Sequence, residues 1–189
     1  MIYVMDMADT NHIKEFSPSG QLLIAFGADG ANVGQISSAA PIDGPQTPLS
    51  FHGCLAIGTH DTFYVADQGN HRVQSYDRNG NFQFTWGLAA PSPNTDNLPF
   101  AFYQMGGVSV LPGGQVCVEN LYWAPCCNSP GDLYGEIQVY DATGNYQFIK
   151  NINYQNGDRA FISSGSSSAI GVSPDGIVWA MGATMQLYC

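Results

Sequence analysis

Apolar positions recur along this chain in short runs with the two-residue period of β-strands, each closed by turn residues. The clearest stretch is Phe63 to Gly87. Phe63-Tyr64-Val65-Ala66 is a β-prone run closed by Asp67-Gln68-Gly69-Asn70, and Arg72 to Tyr76 alternates apolar and polar. Asp77-Arg78-Asn79-Gly80-Asn81 is a hairpin signal, because Asn-Gly supplies the positive φ such turns need. Phe82, Phe84 and Trp86 then read as one face of a further strand, ended by Gly87. The plan recurs in units spanning 2–27, 54–87, 107–150 and 169–189. With strands labelled a to d, the chain runs bcd, abcd, abcd, abc, so the expected class is all-β, with the first and last units incomplete.

Asp67, Gly69, Asn70, His71, Arg72, Val73, Gln74, Tyr76, Asp77, Gly80 and Gly87 stand in the order of an NHL repeat, and the stretch resembles that family. The resemblance implies a β-propeller, usually of six four-stranded blades. This chain then reads as a partial propeller, a single domain of about four blades, either part of a longer chain or completed by strands of a neighbour, because open sheet edges are avoided. The resemblance also implies a scaffold role for the turn residues Asp67, Asn70 and Arg72, with Asp67 and Arg72 joined by a charge-assisted hydrogen bond.

In an antiparallel four-stranded unit the a–b and c–d turns share one end, and the b–c and d–a segments share the other. The first kind is short here, as in Pro112-Gly113-Gly114 and Pro174-Asp175-Gly176. The long segments are 28–51, 88–104 and 151–168 (d–a) and 121–135 (b–c), so all insertions fall at one end, where loops carry function. Leu98-Pro99-Phe100-Ala101-Phe102-Tyr103 and Leu121-Tyr122-Trp123 are aromatic. Such aromatics either cover their own sheets or make contacts with a partner. The expected contact residues are Phe100, Phe102, Tyr103, Tyr122, Trp123 and Tyr134.

A net charge of −10, with only five basic residues among 189, repels a phosphate backbone and argues against nucleic-acid binding. Few charges beside abundant Gly, Ser, Asn and Tyr favour an extracellular or cell-surface protein. No run of 18 apolar residues offers a membrane span, and the N-terminal residues lack the pattern of a signal peptide. Of five cysteines, Cys54, Cys126, Cys127 and Cys189 are disulfide candidates. Cys126-Cys127 could form a vicinal bond, tie their loop to Cys54 or Cys189, or bond another chain; a metal ranks last, because no Cys-x-x-Cys or nearby His completes a site. Cys117 reads as a buried small hydrophobe.

No nucleophile–base arrangement or phosphate loop is present, and no catalytic residue, metal ligand or cofactor is expected. His12 and His71 read as surface turn residues rather than ligands, and His52 and His60 stand at opposite ends of one strand. One NHL-like propeller, the peptidyl-α-hydroxyglycine α-amidating lyase, holds zinc with histidines before its inner strands. The matching positions are Gly53, Gly106 and Ser168. The expectation is a non-enzymatic extracellular module that binds protein partners or copies of itself. The alternative is a metal-dependent propeller enzyme of amidating-lyase or lactonase type.

Overall fold

A computed structural model describes residues 1–6, 9–37, 54–89, 98–102, 104–123, 132–151, 161–163 and 169–181. The described chain is all-β, built of antiparallel sheets in chain order. Sheet I is β1 (Ile2–Met5), β2 (Asn11–Phe16) and β3 (Leu22–Ala28). Sheet II is β4 (Cys54–Ile57), β5 (Phe63–Asp67), β6 (Arg72–Tyr76) and β7 (Phe82–Trp86). A short parallel pair follows, β8 (Leu88–Ala89) with β9 (Ala101–Phe102). Sheet III is β10 (Gln104–Val110), β11 (Val116–Trp123), β12 (Asp132–Tyr140) and β13 (Tyr146–Asn151), with β14 (Phe161–Ser163) on β12. Sheet IV is β15 (Ala169–Val172) with β16 (Val178–Met181). Among the described residues no helix is long and apolar enough to cross a membrane.

One turn closes five of the hairpins. In the β6–β7 turn, Gly80 N donates to Asp77 O at 3.0 Å and Asp77 N to Asn81 O at 2.9 Å. Gly80 takes φ +80, which an L side chain adopts only at a cost. The same pair of bonds recurs at Ser17–Gln21, Leu111–Gln115, Asp141–Asn145 and Ser173–Ile177.

A register shift lies between β2 and β3 of sheet I, β6 and β7 of sheet II, and β12 and β13 of sheet III, at Glu15/Phe16, Ser75/Tyr76 and Val139/Tyr140. The extra residue corrects one expectation. Phe82, Phe84 and Trp86 do not share a face: Phe82 joins the core toward sheet I, and Phe84 and Trp86 join the core toward sheet III. A bulge reverses the side-chain alternation across it.

Each sheet packs its rear face on the front of the next. Between sheets I and II lie Ile13, Phe26, Ile36, Phe63, Val65 and Tyr76. Between II and III lie Tyr64, Val73, Trp86, Val108, Val118 and Tyr140. Between III and IV lie Cys117, Val139 and Ile170. The first strands run side by side, β10 beside both β4 and β15. Complete burial of Phe63 or Tyr140 contributes roughly 1.5–3 kcal/mol each.

Candidate functional site

Polar side chains gather at the end of the sheets where β5 meets β6 and β11 meets β12. In sheet II the carboxylate of Asp67 is fully buried. Its Oδ2 accepts from Arg72 Nε at 2.8 Å, Asn70 Nδ2 at 2.8 Å and Gln74 Nε2 at 3.0 Å. Its Oδ1 accepts from Ser37 N at 2.9 Å. A buried anion persists only with such pairing. The donors then reach outward to the segment after β3. Arg72 Nη2 donates to Asn32 O and Gln35 O, both at 2.8 Å; Gln74 donates to Gln35 O at 2.5 Å and accepts from Gly34 N at 2.8 Å.

Sheet III repeats this design with different chemistry. The register pairs Asp67 with Arg72 in sheet II and Asn120 with Glu136 in sheet III, so the carboxylate sits on the opposite strand. Asn120 Nδ2 and Gln138 Nε2 donate to Glu136 Oε1 at 2.9 and 2.7 Å. Gln138 occupies the place of Gln74. It donates to Leu98 O and Ala101 O, both at 3.2 Å, and accepts from Phe100 N at 3.2 Å and from the Tyr140 hydroxyl. Thus the segments leaving sheets I and II are each tied to the next sheet by a buried glutamine.

In sheet I the same places hold Asp6, His12 and Lys14. Lys14 Nζ lies 2.7 Å from both Asp6 and Asp9. Its hydrogen bond, with those from Thr10, lowers the Asp9 carboxyl to about 2. His12 is not a surface turn residue. It is fully buried, with Nδ1 3.0 Å from Asp6 O and Nε2 3.3 Å from Asp29 Oδ1. His12 stands four residues before Phe16, as Arg72 does before Tyr76, so the pairing puts His12 where Arg72 stands, inside the sheet. His71 takes a left-handed φ of 52° and lies 2.9 Å, through Nδ1, from Phe102 O.

Beyond Asn120 and Glu136 the strands continue. Leu121, Tyr122 and Trp123 pair with Gly135, Tyr134 and Leu133, and β14 pairs with Asp132, Leu133 and Tyr134. Residues 121–123 and 132–135, expected within a loop, are therefore strand, and with β14 they form a three-stranded ribbon. Asn120, at its base, donates to Ala101 O at 3.3 Å, so the ribbon and the segment leading to β9 stand at the same end.

Of the expected contact residues, Phe102 packs inside the described core. It is fully buried, with its ring against Tyr140. A Cβ on Gly87 would lie 2.6 Å from Phe102 Cε2, so Phe102 fills the gap that glycine leaves. Phe100, at φ +64°, is half-buried against Tyr140 and Tyr146. Tyr122, Trp123 and Tyr134 are described as backbone, and Tyr103 lies outside the described residues. Cys54 carries a free thiol, half-buried against the core between sheets II and III. Cys126, Cys127 and Cys189 lie outside the described residues. Cys117 is a free, fully buried thiol that burial pushes up to about 11, far from a reactive thiolate.

Gly106 stands at the irregularity in β10, while His52, Gly53 and Ser168 lie outside the described residues. Among the described residues no three His, Cys, Asp or Glu side chains converge to hold a metal. The buried carboxylate of Asp67 is fully engaged by donors, an arrangement suited to fixing backbone segments rather than to moving protons. No protein-family model and no curated protein sequence matches this chain.

Proposed function

We propose that this chain is an NHL-like β-propeller scaffold that acts, outside the cell, as a non-enzymatic interaction and assembly module. The scaffold reading is supported by the repeated register, bulge and polar tie in successive sheets, and by first strands that run side by side as they do around an axis. The Asp67–Asn70–Arg72 constellation serves that scaffold, because its bonds end on backbone groups of the neighbouring segment.

The observation that carries the binding role is the ribbon. β11 and β12 extend past their sheet neighbours and accept β14, presenting backbone and aromatic sequence at the end where the connecting segments also gather. Tyr122, Trp123 and Tyr134 are its expected contact residues, with Phe100 and Tyr103 from the preceding segment. The test is affinity capture from the medium of the cells that make the protein, with wild type and the Tyr122→Ala/Trp123→Ala double variant compared at equal near-ultraviolet dichroism. A partner retained by the wild type and lost by the variant is expected. Identical capture by both would overturn the assignment, and stoichiometric zinc on the purified protein would favour a metal-dependent enzyme instead.

A further inference from the structure

His12 and Arg72 stand at the same place in consecutive sheets, and both hold the connector 29–37. Arg72 holds it from sheet II, by donating to Asn32 O and Gln35 O. His12 holds it from sheet I, through the carboxylate of Asp29. A guanidinium keeps its charge at every pH a protein meets. An imidazole ring carries either two nitrogen-bound protons or one.

The partners of His12 decide between those states. Nδ1 lies 3.0 Å from Asp6 O, and a carbonyl oxygen can only accept. Nε2 lies 3.3 Å from Asp29 Oδ1, and an ionised carboxylate can only accept. Both ring nitrogens must therefore donate, which the imidazolium alone does. The ring is fully buried, so bulk water replaces neither partner.

The surrounding charges agree. Sheet I and the turn before β2 bring Asp6 and Asp9, with Lys14 Nζ 2.7 Å from each. The connector brings Asp29. Beyond the connector, sheet II brings Arg72, already paired with Asp67 at 2.8 Å. The corner at the ring thus holds three carboxylates against one ammonium. An imidazolium reduces that excess, whereas a neutral ring sets a lone pair against the Asp29 carboxylate.

We propose that His12 is a proton-operated clasp on the connector between sheets I and II: with two ring protons it binds Asp29 to sheet I, and with one it lets Asp29 go. The root of the connector is built around that contact. Asp29 N donates to Thr10 O at 3.0 Å, Gly30 N to Ile36 O at 3.1 Å and Ile36 N to Ala28 O at 2.8 Å. Ile36 is fully buried and fills the hollow at Gly27, where a Cβ would stand 2.6 Å from Ile36 Cδ1. Loosening at Asp29 therefore reaches the core between sheets I and II. The folded chain gains from the second ring proton, so the clasp is closed at mildly acidic pH and opens as pH rises. It needs no partner and stands apart from the ribbon.

Two measurements on the full chain, from about pH 5.5 to about pH 8.5, test this. In long-range proton–nitrogen NMR spectra both ring nitrogens of His12 should carry protons at the acidic end, and one should lose its proton as pH rises. In hydrogen exchange corrected for intrinsic rates, protection at Gly30 and Ile36 should fall about three- to tenfold over the same interval. Asp29 is half-exposed, so Asp29→Asn leaves folding intact, and its amide, which donates as well as accepts, suits a neutral ring. Protection in that variant should be the same at both ends of the interval. A His12 ring that keeps one protonation state throughout, or a pH slope in Asp29→Asn equal to that of wild type, overturns the proposal.

Discussion

Gly144 lies beneath the indole of Trp86, so close that a Cβ on it would stand 2.9 Å from Cε3. The relation between Gly80 and Phe26 is the same one sheet earlier, at 2.7 Å. These contacts join a hairpin turn in one sheet to the last strand of the sheet before it. They fix how far one sheet slides over another.

Alanine at Gly144 or Gly80 therefore meets two obstacles, a left-handed backbone and a ring in the way. Together they should cost about 2–4 kcal/mol. Alanine at Gly20 meets the backbone obstacle alone and should cost about 1 kcal/mol. Urea unfolding of the three variants measures the difference; equal losses at all three sites would show that the rings yield freely.

Asp67 holds Arg72, Asn70, Gln74 and the Ser37 amide at once. Asp67→Ala strands a guanidinium and two amides and should cost about 3–5 kcal/mol. Gln74→Ala, which frees fewer groups, should cost about 1–3 kcal/mol. Hydrogen exchange should rise at Ser37 in Asp67→Ala and at Gly34 in Gln74→Ala, because in each variant that amide loses its acceptor.

Phe102→Ala should act on stability rather than on binding. A fully buried ring of this size costs about 3–5 kcal/mol on truncation. Partner capture by the fraction that remains folded should be unchanged, as read by capture after size selection.

Cys117 should resist alkylation in the native protein at pH 8, being buried and pushed up to about 11. Iodoacetamide labelling followed by mass spectrometry should show its modification tracking global unfolding in urea. Rapid labelling without denaturant would mean that sheets III and IV separate readily.

The acid limb should depend on Asp141. The side-chain amide of Asn145, then the Thr143 hydroxyl and nearby backbone N–H groups, hold its carboxyl below the usual carboxylate range. Asp9, held at about 2 first by Lys14, behaves alike. For both the native pKa is depressed, so the unfolded chain binds more protons as pH falls. Their stabilisation is present above about pH 4 and lost as pH drops toward 2. Asp141→Asn should flatten the fall of Tm over that interval, as read by circular dichroism.

Much of the strand plan could be read from the chain, because five of the hairpins end in the same short turn with glycine at one fixed place. What escaped reading has local causes. Phe82 faces away from Phe84 because a bulge inserts a residue that no alternation reveals. His12 is buried because it stands four residues before Phe16, as Arg72 does before Tyr76, so it opens the strand although its Asn-His pair looks like the turn residues Asn70 and His71. The ribbon was hidden by Pro125 and the adjacent cysteines, which gave 121–135 the look of a loop. β8 and β9 are two residues long, too short to carry a period. Gln74 and Gln138 were the one overlooked signal: a long amide at a core-facing position needs partners, and both find them on the preceding connector.

The parallel pairings at Asp29–Ile36 and at Leu88–Ala89 with Ala101–Phe102 bring each connector back beside the point where it departs. The detour between is nearly twice as long in the second case as in the first, yet Ile36 and Phe102 end in matching places, each plugging the hollow left by a glycine. Excursion length is thereby uncoupled from the framework. Evolution or an engineer can change the length of the excursion as long as the residues that bond the next sheet are kept, Asn32, Gly34 and Gln35 in one connector and Leu98 and Phe100 in the other.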